Sequence, residues 1–377
     1  MREIAVALVR SHESSLSSGM AGGLLLAVEL HLHCCDRESG GLLDEALKAV
    51  VGAISTRPLE PTLWSGLVGL LYSIEYLEHR FPGKAGGDVK NFVDSTDELL
   101  LSFIDAATPG RVHFDLISGL TGVGAYALMR SDVTRAAALY QAVEAKLSTW
   151  ANAEVRGGLA WRTTPRQLRE PIPESTRQFG HLDYGIAHGQ PGVLLLLAAG
   201  VEYGLTSDFN KTSSLIRAAL DHVLASEASN SQVSKYPYFD PQTMQDASRL
   251  AWCYGDISVA FSIRAAGRVL SDSSLELHAE NLVLDRLAQD PGTFLLKDNA
   301  LCHGRAGVLL LCKKMGIDTS HAALVKIRAE LERGFESSAV LHESNDLLDG
   351  AGGILMAELA PSSGGRHSWD SALCLGF

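Results

Sequence analysis

Basic charge is what this chain is shortest of. Its 377 residues carry 32 Lys and Arg against 44 Asp and Glu, a formal net charge of -12, so the surface on average repels a phosphate backbone and nucleic acid is not an expected partner. Cysteine is sparse as well. The six, at positions 34, 35, 253, 302, 312 and 374, are too scattered for the dense disulfide framework of a small secreted domain. In a reducing compartment they are thiols, ligands or core residues; Cys312 and Cys374, in apolar surroundings, read as small buried hydrophobes. Long apolar runs are also missing. Ile4 to Val9 is too short for a signal-peptide core and lacks a cleavage pattern, and Val193 to Val201 falls well short of a spanning helix. A cytoplasmic protein with no membrane span is expected.

What is present is an ordinary soluble composition, 46% hydrophobic and 20% charged, which suffices to bury a large core and excludes disorder over most of the chain. Length alone leaves two or three average domains, or one large helical domain, equally open.

Organisation comes from a repeat. A Gly-x-x-Gly step leads into a small, apolar run at Gly19–Gly22, Gly66–Gly69, Gly119–Gly122, Gly189–Gly192, Gly304–Gly307 and Gly350–Gly353, with a partial copy, Gly255 to Ser258, that keeps only the first glycine. The runs that follow, such as Val193 to Ala199, Val308 to Cys312 and Ile354 to Leu359, read as inner helices. Pro191 suits a helix start, where its missing N–H has no intrahelical partner to lose. Between the copies, Leu42 to Ile54, Ala137 to Trp150, Lys211 to Ala225 and Thr319 to Gly334 carry apolar residues at helical spacing and read as outer helices. Such pairs either stack as an open solenoid or close into a ring. Glycines at every inner-helix start favour the ring, because they let helix ends crowd around one end of an axis; tight inter-helix turns alone would also account for them. The expectation is a single all-α domain over 1–377, an α/α toroid of seven inner and seven outer helices. Residues 154–180 break the rhythm with Gly157-Gly158, three prolines and the clusters Trp161-Arg162 and Arg166 to Arg169. They read as an irregular loop or hairpin over one face, in contact with substrate or else disordered.

Chemistry concentrates near two of these steps, at Trp252-Cys253-Tyr254-Gly255-Asp256 and Cys302-His303-Gly304. If the repeats close, Cys253 faces Cys302 and His303 across a short gap, and two thiols with an imidazole suit Zn²⁺. Adjacent Cys302 and His303 can share a metal only in a turn, which Gly304 makes plausible, and three protein ligands leave a fourth position open, as in a catalytic zinc site. Two buried cysteines and a satisfied core histidine remain the alternative.

These strings, together with Ala187-His188-Gly189-x-Pro191-Gly192 and Asp115-x-x-Ser118-Gly119-x-x-Gly122, resemble the signature motifs of LanC-like lanthionine synthetases. The resemblance covers nearly the whole chain, the closing Ser368-Trp369-Asp370 included. It implies an α/α toroid with zinc ligands at Cys253, Cys302 and His303 and further active-site positions at Asp115, His188, Arg249 and Tyr254. It also implies a reaction: addition of a peptide cysteine thiol to dehydroalanine or dehydrobutyrine, giving a lanthionine or methyllanthionine thioether; relatives outside peptide biosynthesis add glutathione instead. The implied partners are a dehydrated precursor peptide and a separate dehydratase, since the first repeat begins at Gly19 with no such domain before it. In this scheme zinc activates sulfur, and His188 is the general acid. Arg249, four residues before Cys253, shares a helix face with it and stabilises the enolate or holds Asp115, and Asp115 orients His188 or Arg249.

The chain departs from the pattern at Ser258 and at His181-Leu182-Asp183, where small residues and asparagine are common, and the arginine-rich stretch is not explained by the resemblance. Two rivals stay in view. A glycan-processing toroid would need paired carboxylates, for which Asp115 and Asp256 are available; a non-catalytic peptide-binding scaffold would use zinc only to hold the ring together.

Overall fold

The computed structural model describes all residues except 57, 155, 169–173, 229–232, 241–246, 337–343, 363–364 and 377. Among these lie fourteen α-helices. Seven are buried along most of their length: α2 (Met20–Cys34), α4 (Leu67–Arg80), α6 (Leu120–Met129), α8 (Gln190–Glu202), α10 (Asp256–Leu270), α12 (Arg305–Met315) and α14 (Ala351–Leu359), of which α6, α8 and α14 are almost wholly apolar. A helix apolar all round has to be surrounded by protein. Each of these packs on the next in chain order, and α14 packs back on α2, so the inner layer is a closed ring. The amphipathic helices α3 (Arg37–Thr56), α5 (Gly87–Ala106), α7 (Val133–Trp150), α9 (Phe209–Ala225), α11 (Ser273–Leu287) and α13 (Ala322–Glu336) cover it from outside.

The seventh outer helix does not follow the seventh inner one. It is α1 (Arg2–Val9), which packs on α2, α3 and α14 and closes the outer layer from the other end of the chain. After α14 the chain instead enters the ring. A 3₁₀ turn at Trp369–Leu373 is buried and accepts hydrogen bonds from Tyr72 Oη to the Trp369 carbonyl (3.0 Å) and from Trp252 Nε1 to the Leu373 carbonyl (3.2 Å). There Lys314 and Asp370, both fully buried, form an ion pair at 2.5 Å.

Hydrogen bonds between neighbouring turns gather the inner-helix starts at one end of the axis: Ser17 N to Trp64 O, Leu116 N to Ala187 O, Cys253 N to Cys302 O, Cys302 N to Leu348 O and Leu347 N to Ser17 O. The glycine steps make this possible. At each of the seven first positions a Cβ would lie 1.7 to 2.7 Å from the carbonyl oxygen six residues back, and at the six second glycines 1.9 to 2.5 Å from the corresponding one. The chain therefore folds flat onto its own helix start, where a side chain would strike backbone. That contact also satisfies amides with no intrahelical acceptor: Met20 N bonds to Glu13 O, Leu67 N to Glu60 O and Leu120 N to His113 O. Gly255 is the exception, with φ +99. The altered turn leaves room for Ser258, whose hydroxyl donates to the Gly255 carbonyl at 2.8 Å.

Two alanine substitutions should therefore move stability in opposite directions. Gly66→Ala puts its Cβ 1.9 Å from the Glu60 carbonyl oxygen and should cost about 2–3 kcal/mol. Gly52→Ala, on the open face of α3 with nothing within 4 Å, should gain about 0.5–1 kcal/mol. Denaturant unfolding of both variants checks the pair; equal effects would mean that the steps are turns without close approach.

The irregular stretch contributes strands to two small sheets and holds 3₁₀ turns at Pro165–Gln167 and Glu174–Thr176. β1 (Asn152–Ala153) pairs with β2 (Leu159–Ala160), and β3 (Arg162–Thr163), β4 (His181–Asp183) and β5 (Phe239–Asp240) form an antiparallel three-stranded sheet in that order. Arg169 and residues 170–173 of the predicted insertion lie outside the described residues.

Candidate metal centre and its surroundings

Cys302 and His303 sit in the turn before α12, and Cys253 in the non-helical segment before α10. Because the backbone there is not helical, the two neighbours are free of the 100° divergence a helix would impose. The Cys302 sulfur, a His303 ring nitrogen and an Asp349 oxygen all lie within 4.8 Å of one another. Cys253 lies outside that tight trio, on a turn whose Cys253 N donates to the Cys302 carbonyl at 3.0 Å. The neighbouring Cys302 side chain, helped by the Arg249 charge against the opposing effect of burial, lowers the Cys253 pKa; the Cys253 side chain and burial raise that of Cys302. His303 is held between two carboxylates, with Nε2 2.9 Å from Asp298 Oδ2 and Nδ1 3.4 Å from Asp349 Oδ1. The Asp298 hydrogen bond holds its pKa up.

His188 ends the turn before α8, and Asp115 lies in the turn before α6. Their side chains meet, Nδ1 to Oδ2, at 2.7 Å, while the other Asp115 oxygen accepts the Ser118 amide at 2.7 Å. Burial works against charge on this imidazole, but the Asp115 carboxylate prevails and the His188 pKa is raised. Tyr254 donates to Asp183 Oδ2 at 2.9 Å, and burial, then the Asp183 charge, keeps its phenol protonated. The strand and turn that carry Asp183 press on the cysteine segment: a Cβ at Gly185 would lie 2.1 Å from the Cys253 carbonyl oxygen.

Arg249 corrects one expectation. It shares no helix face with Cys253, because residues 247–255 are irregular, turned by Gly255 at positive φ and by the bond from Ala251 N to Tyr254 O. Nor do its hydrogen bonds hold Asp115. Its backbone N and side-chain Nε both point to Tyr238 Oη, at 3.0 and 3.3 Å, and its guanidinium lies 5.8 Å from that ring's centre.

Asp256 does not face a cleft. It is buried, accepts the Lys235 and Tyr236 amides at 2.9 and 3.0 Å and faces Arg286 at 3.5 Å; burial pushes its carboxyl up to about 6. That removes the second carboxylate from the glycan-processing alternative. Cys312 and Cys374 are core residues as expected, their thiols pushed up to about 12 by burial.

Sequence reasoning missed four residues here: Asp183, Tyr238, Asp298 and Asp349. Asp183 falls in the departure noted at 181–183. Asp349 precedes Gly350 as His303 precedes Gly304 and His188 precedes Gly189, so the repeat register itself pointed to it. Beyond β4 lies a cavity of about 720 Å³ whose lining includes Trp150, Arg156, Trp161, Arg162, Phe179 and Leu182, so the small sheets border both the cavity and the cysteine segment.

The chain resembles the solved structure of nisin cyclase with a TM-score of 0.77 at 20% sequence identity, covering 99% of this chain and 97% of that one, a likeness of fold. No curated protein matches it. The family described as lanthionine synthetase C-like protein matches residues 10–374, and with that span, a closed helical ring and the glycine-step motifs at its centre, the chain belongs to the lanthionine synthetase C-like family.

Proposed function

We propose that residues 1–377 form one catalytic domain, a zinc-dependent cyclase that adds peptide cysteine thiols to dehydroalanine or dehydrobutyrine and forms thioether rings. The observation that carries this reading is the convergence of Cys253, Cys302 and His303 in two hydrogen-bonded turns beside the His188–Asp115 pair. Family membership and the nisin cyclase fold support it.

The donor set fits zinc. Two cysteines on turns joined by the bond from Cys253 N to Cys302 O, and an imidazole whose far nitrogen is held by Asp298, make the soft, oriented set such a metal takes. Cys253, Cys302 and His303 would hold it. When bound, the metal supplies a Lewis acid that lets a substrate thiol lose its proton near neutrality.

The remaining steps belong to the chain. Attack on the β-carbon of the dehydro residue moves its π electrons toward the carbonyl, and the enolate so formed needs a proton at the α-carbon. His188 is the acid, its pKa raised by Asp115 against the effect of burial, and the same bond fixes which ring nitrogen faces away. Arg249 adds positive charge next to the thiols, and Tyr254, anchored by Asp183, offers a protonated hydroxyl at the same turn. The proton removed from sulfur is balanced by the one added to carbon, so the product has the mass of the substrate.

The test follows from that balance. Zinc-loaded protein mixed with a peptide holding one dehydroalanine and one cysteine should consume the free thiol with no change of mass. Persistence of the thiol with zinc-loaded, folded protein, across several such peptides, would refute the cyclase reading. A separate dehydratase, expected as the source of the substrate, belongs to the same proposal.

A further inference from the structure

Both nitrogens of His303 face carboxylates, and the two carboxylates are held very differently. Asp298 is pinned: Oδ2 contacts Nε2 at 2.9 Å and Oδ1 accepts the Ala300 amide at 3.0 Å. Asp349 stands on the other side, Oδ1 3.4 Å from Nδ1, with its side chain 55% exposed. Two ligands at zinc–nitrogen and zinc–oxygen distances of about 2.0 to 2.1 Å, set at the tetrahedral angle, lie roughly 3.3 Å apart. The spacing of Nδ1 and Oδ1 is thus that of two corners of one coordination tetrahedron. Cys302 sulfur completes a trio of atoms within 4.8 Å of one another, and the turn that carries Cys253 is bonded to Cys302 through its backbone N.

The backbone places Asp349 there by design of the repeat. Cys253 N bonds to Cys302 O and Cys302 N to Leu348 O, so three successive turns are stitched in register. The residue before the helix-starting glycine is Tyr254 in the first, His303 in the second and Asp349 in the third.

From this we propose, resting on the zinc reading above, that Asp349 is a displaceable fourth ligand. In the absence of substrate its carboxylate closes the tetrahedron of Cys253, Cys302 and His303. A substrate thiol takes that position as thiolate, its proton passing to solvent, and the Asp349 carboxylate leaves as a free anion. The exchange makes one metal–sulfur bond and breaks one metal–oxygen bond, with no change of oxidation state. A carboxylate on a half-exposed side chain suits this role, because water can solvate it as soon as it is released, whereas the pinned Asp298 cannot move without losing two hydrogen bonds.

The experiment compares wild type, Asp349→Ala and Asp349→Asn, each confirmed folded by circular dichroism. Zinc affinity is measured by chelator competition, and cobalt(II)-loaded samples are titrated with 2-mercaptoethanol while the visible absorption is followed. Loss of the carboxylate should weaken metal binding by about 10-fold or more, since even partners outside a ligand set cost that much. It should also lower the thiol concentration that half-converts the cobalt spectrum, because the thiol no longer competes with an internal ligand. Unchanged metal affinity together with an unchanged thiol midpoint in both variants would overturn the Asp349 role. Wild type that binds no zinc would instead sink the metal reading itself, so the two failures are distinguishable.

Discussion

Cys302→Ala protein is expected to purify folded and to lose zinc, with metal affinity reduced more than about 100-fold, because even partners outside the ligand set cost 10- to 100-fold in such sites. Ring closure should fall with it to background. Cys253→Ala should behave alike, since its turn is bonded directly to that of Cys302. The informative control is Cys312→Ala. That thiol is also buried and lies on α12, just beyond the same turn, so its loss opens a small cavity in the core and no ligand position. It should lower stability somewhat and leave the metal content at about one per chain. Equal zinc loss in the Cys312 and Cys302 variants would mean that the metal reports on general packing, and the ligand assignment would fail. Mass spectrometry of native protein, beside thermal unfolding, reads both.

His188→Asn should do the reverse: zinc retained, turnover reduced about 10²- to 10⁴-fold, the usual contribution of a general acid. If the metal leaves with the imidazole, His188 is a ligand and its acid role is wrong. Asp115→Asn gives a finer reading. Burial opposes charge on His188 and the Asp115 carboxylate favours it, with the net pKa raised. The active form of an acid is the protonated one, so activity declines as pH rises through that pKa. Removing the carboxylate's charge lowers the pKa, and the alkaline limb of the rate profile should move to lower pH. A limb that stays in place, or moves upward, would show that Asp115 does not set the charge on His188.

Much of the ring was legible because its cause is local. The glycine steps recur for one steric reason, a carbonyl six residues back that excludes a Cβ, and a local constraint of that kind leaves its mark on sequence at every repeat. Cys302 and His303 were legible for the same reason, being attached to a step. Part of what escaped was determined by distance along the chain. Asp183 reaches Tyr254 from 71 residues away, and nothing near Tyr254 specifies its acceptor. Arg249 was placed on a helix by spacing alone, whereas Gly255 at positive φ turns the segment and delivers the guanidinium to Tyr238. The role of α1 escaped for a further reason: it is only eight residues long, and only a closed ring gives it a vacant place beside α14.

The seam between α1 and α14 ties residues made early in synthesis to residues made late. Until α14 leaves the ribosome, α1 and α2 have no partner on that side, and the growing chain is an open arc with an apolar flank. Closing a loop of this length costs only a few kcal/mol more than closing a short one, since the penalty grows with the logarithm of length. The delay is more consequential than the cost, because long-range contacts slow folding and leave apolar surface exposed meanwhile. Assembly should therefore run as successive hairpins zipped side by side, with the last event a single clasp between the two ends.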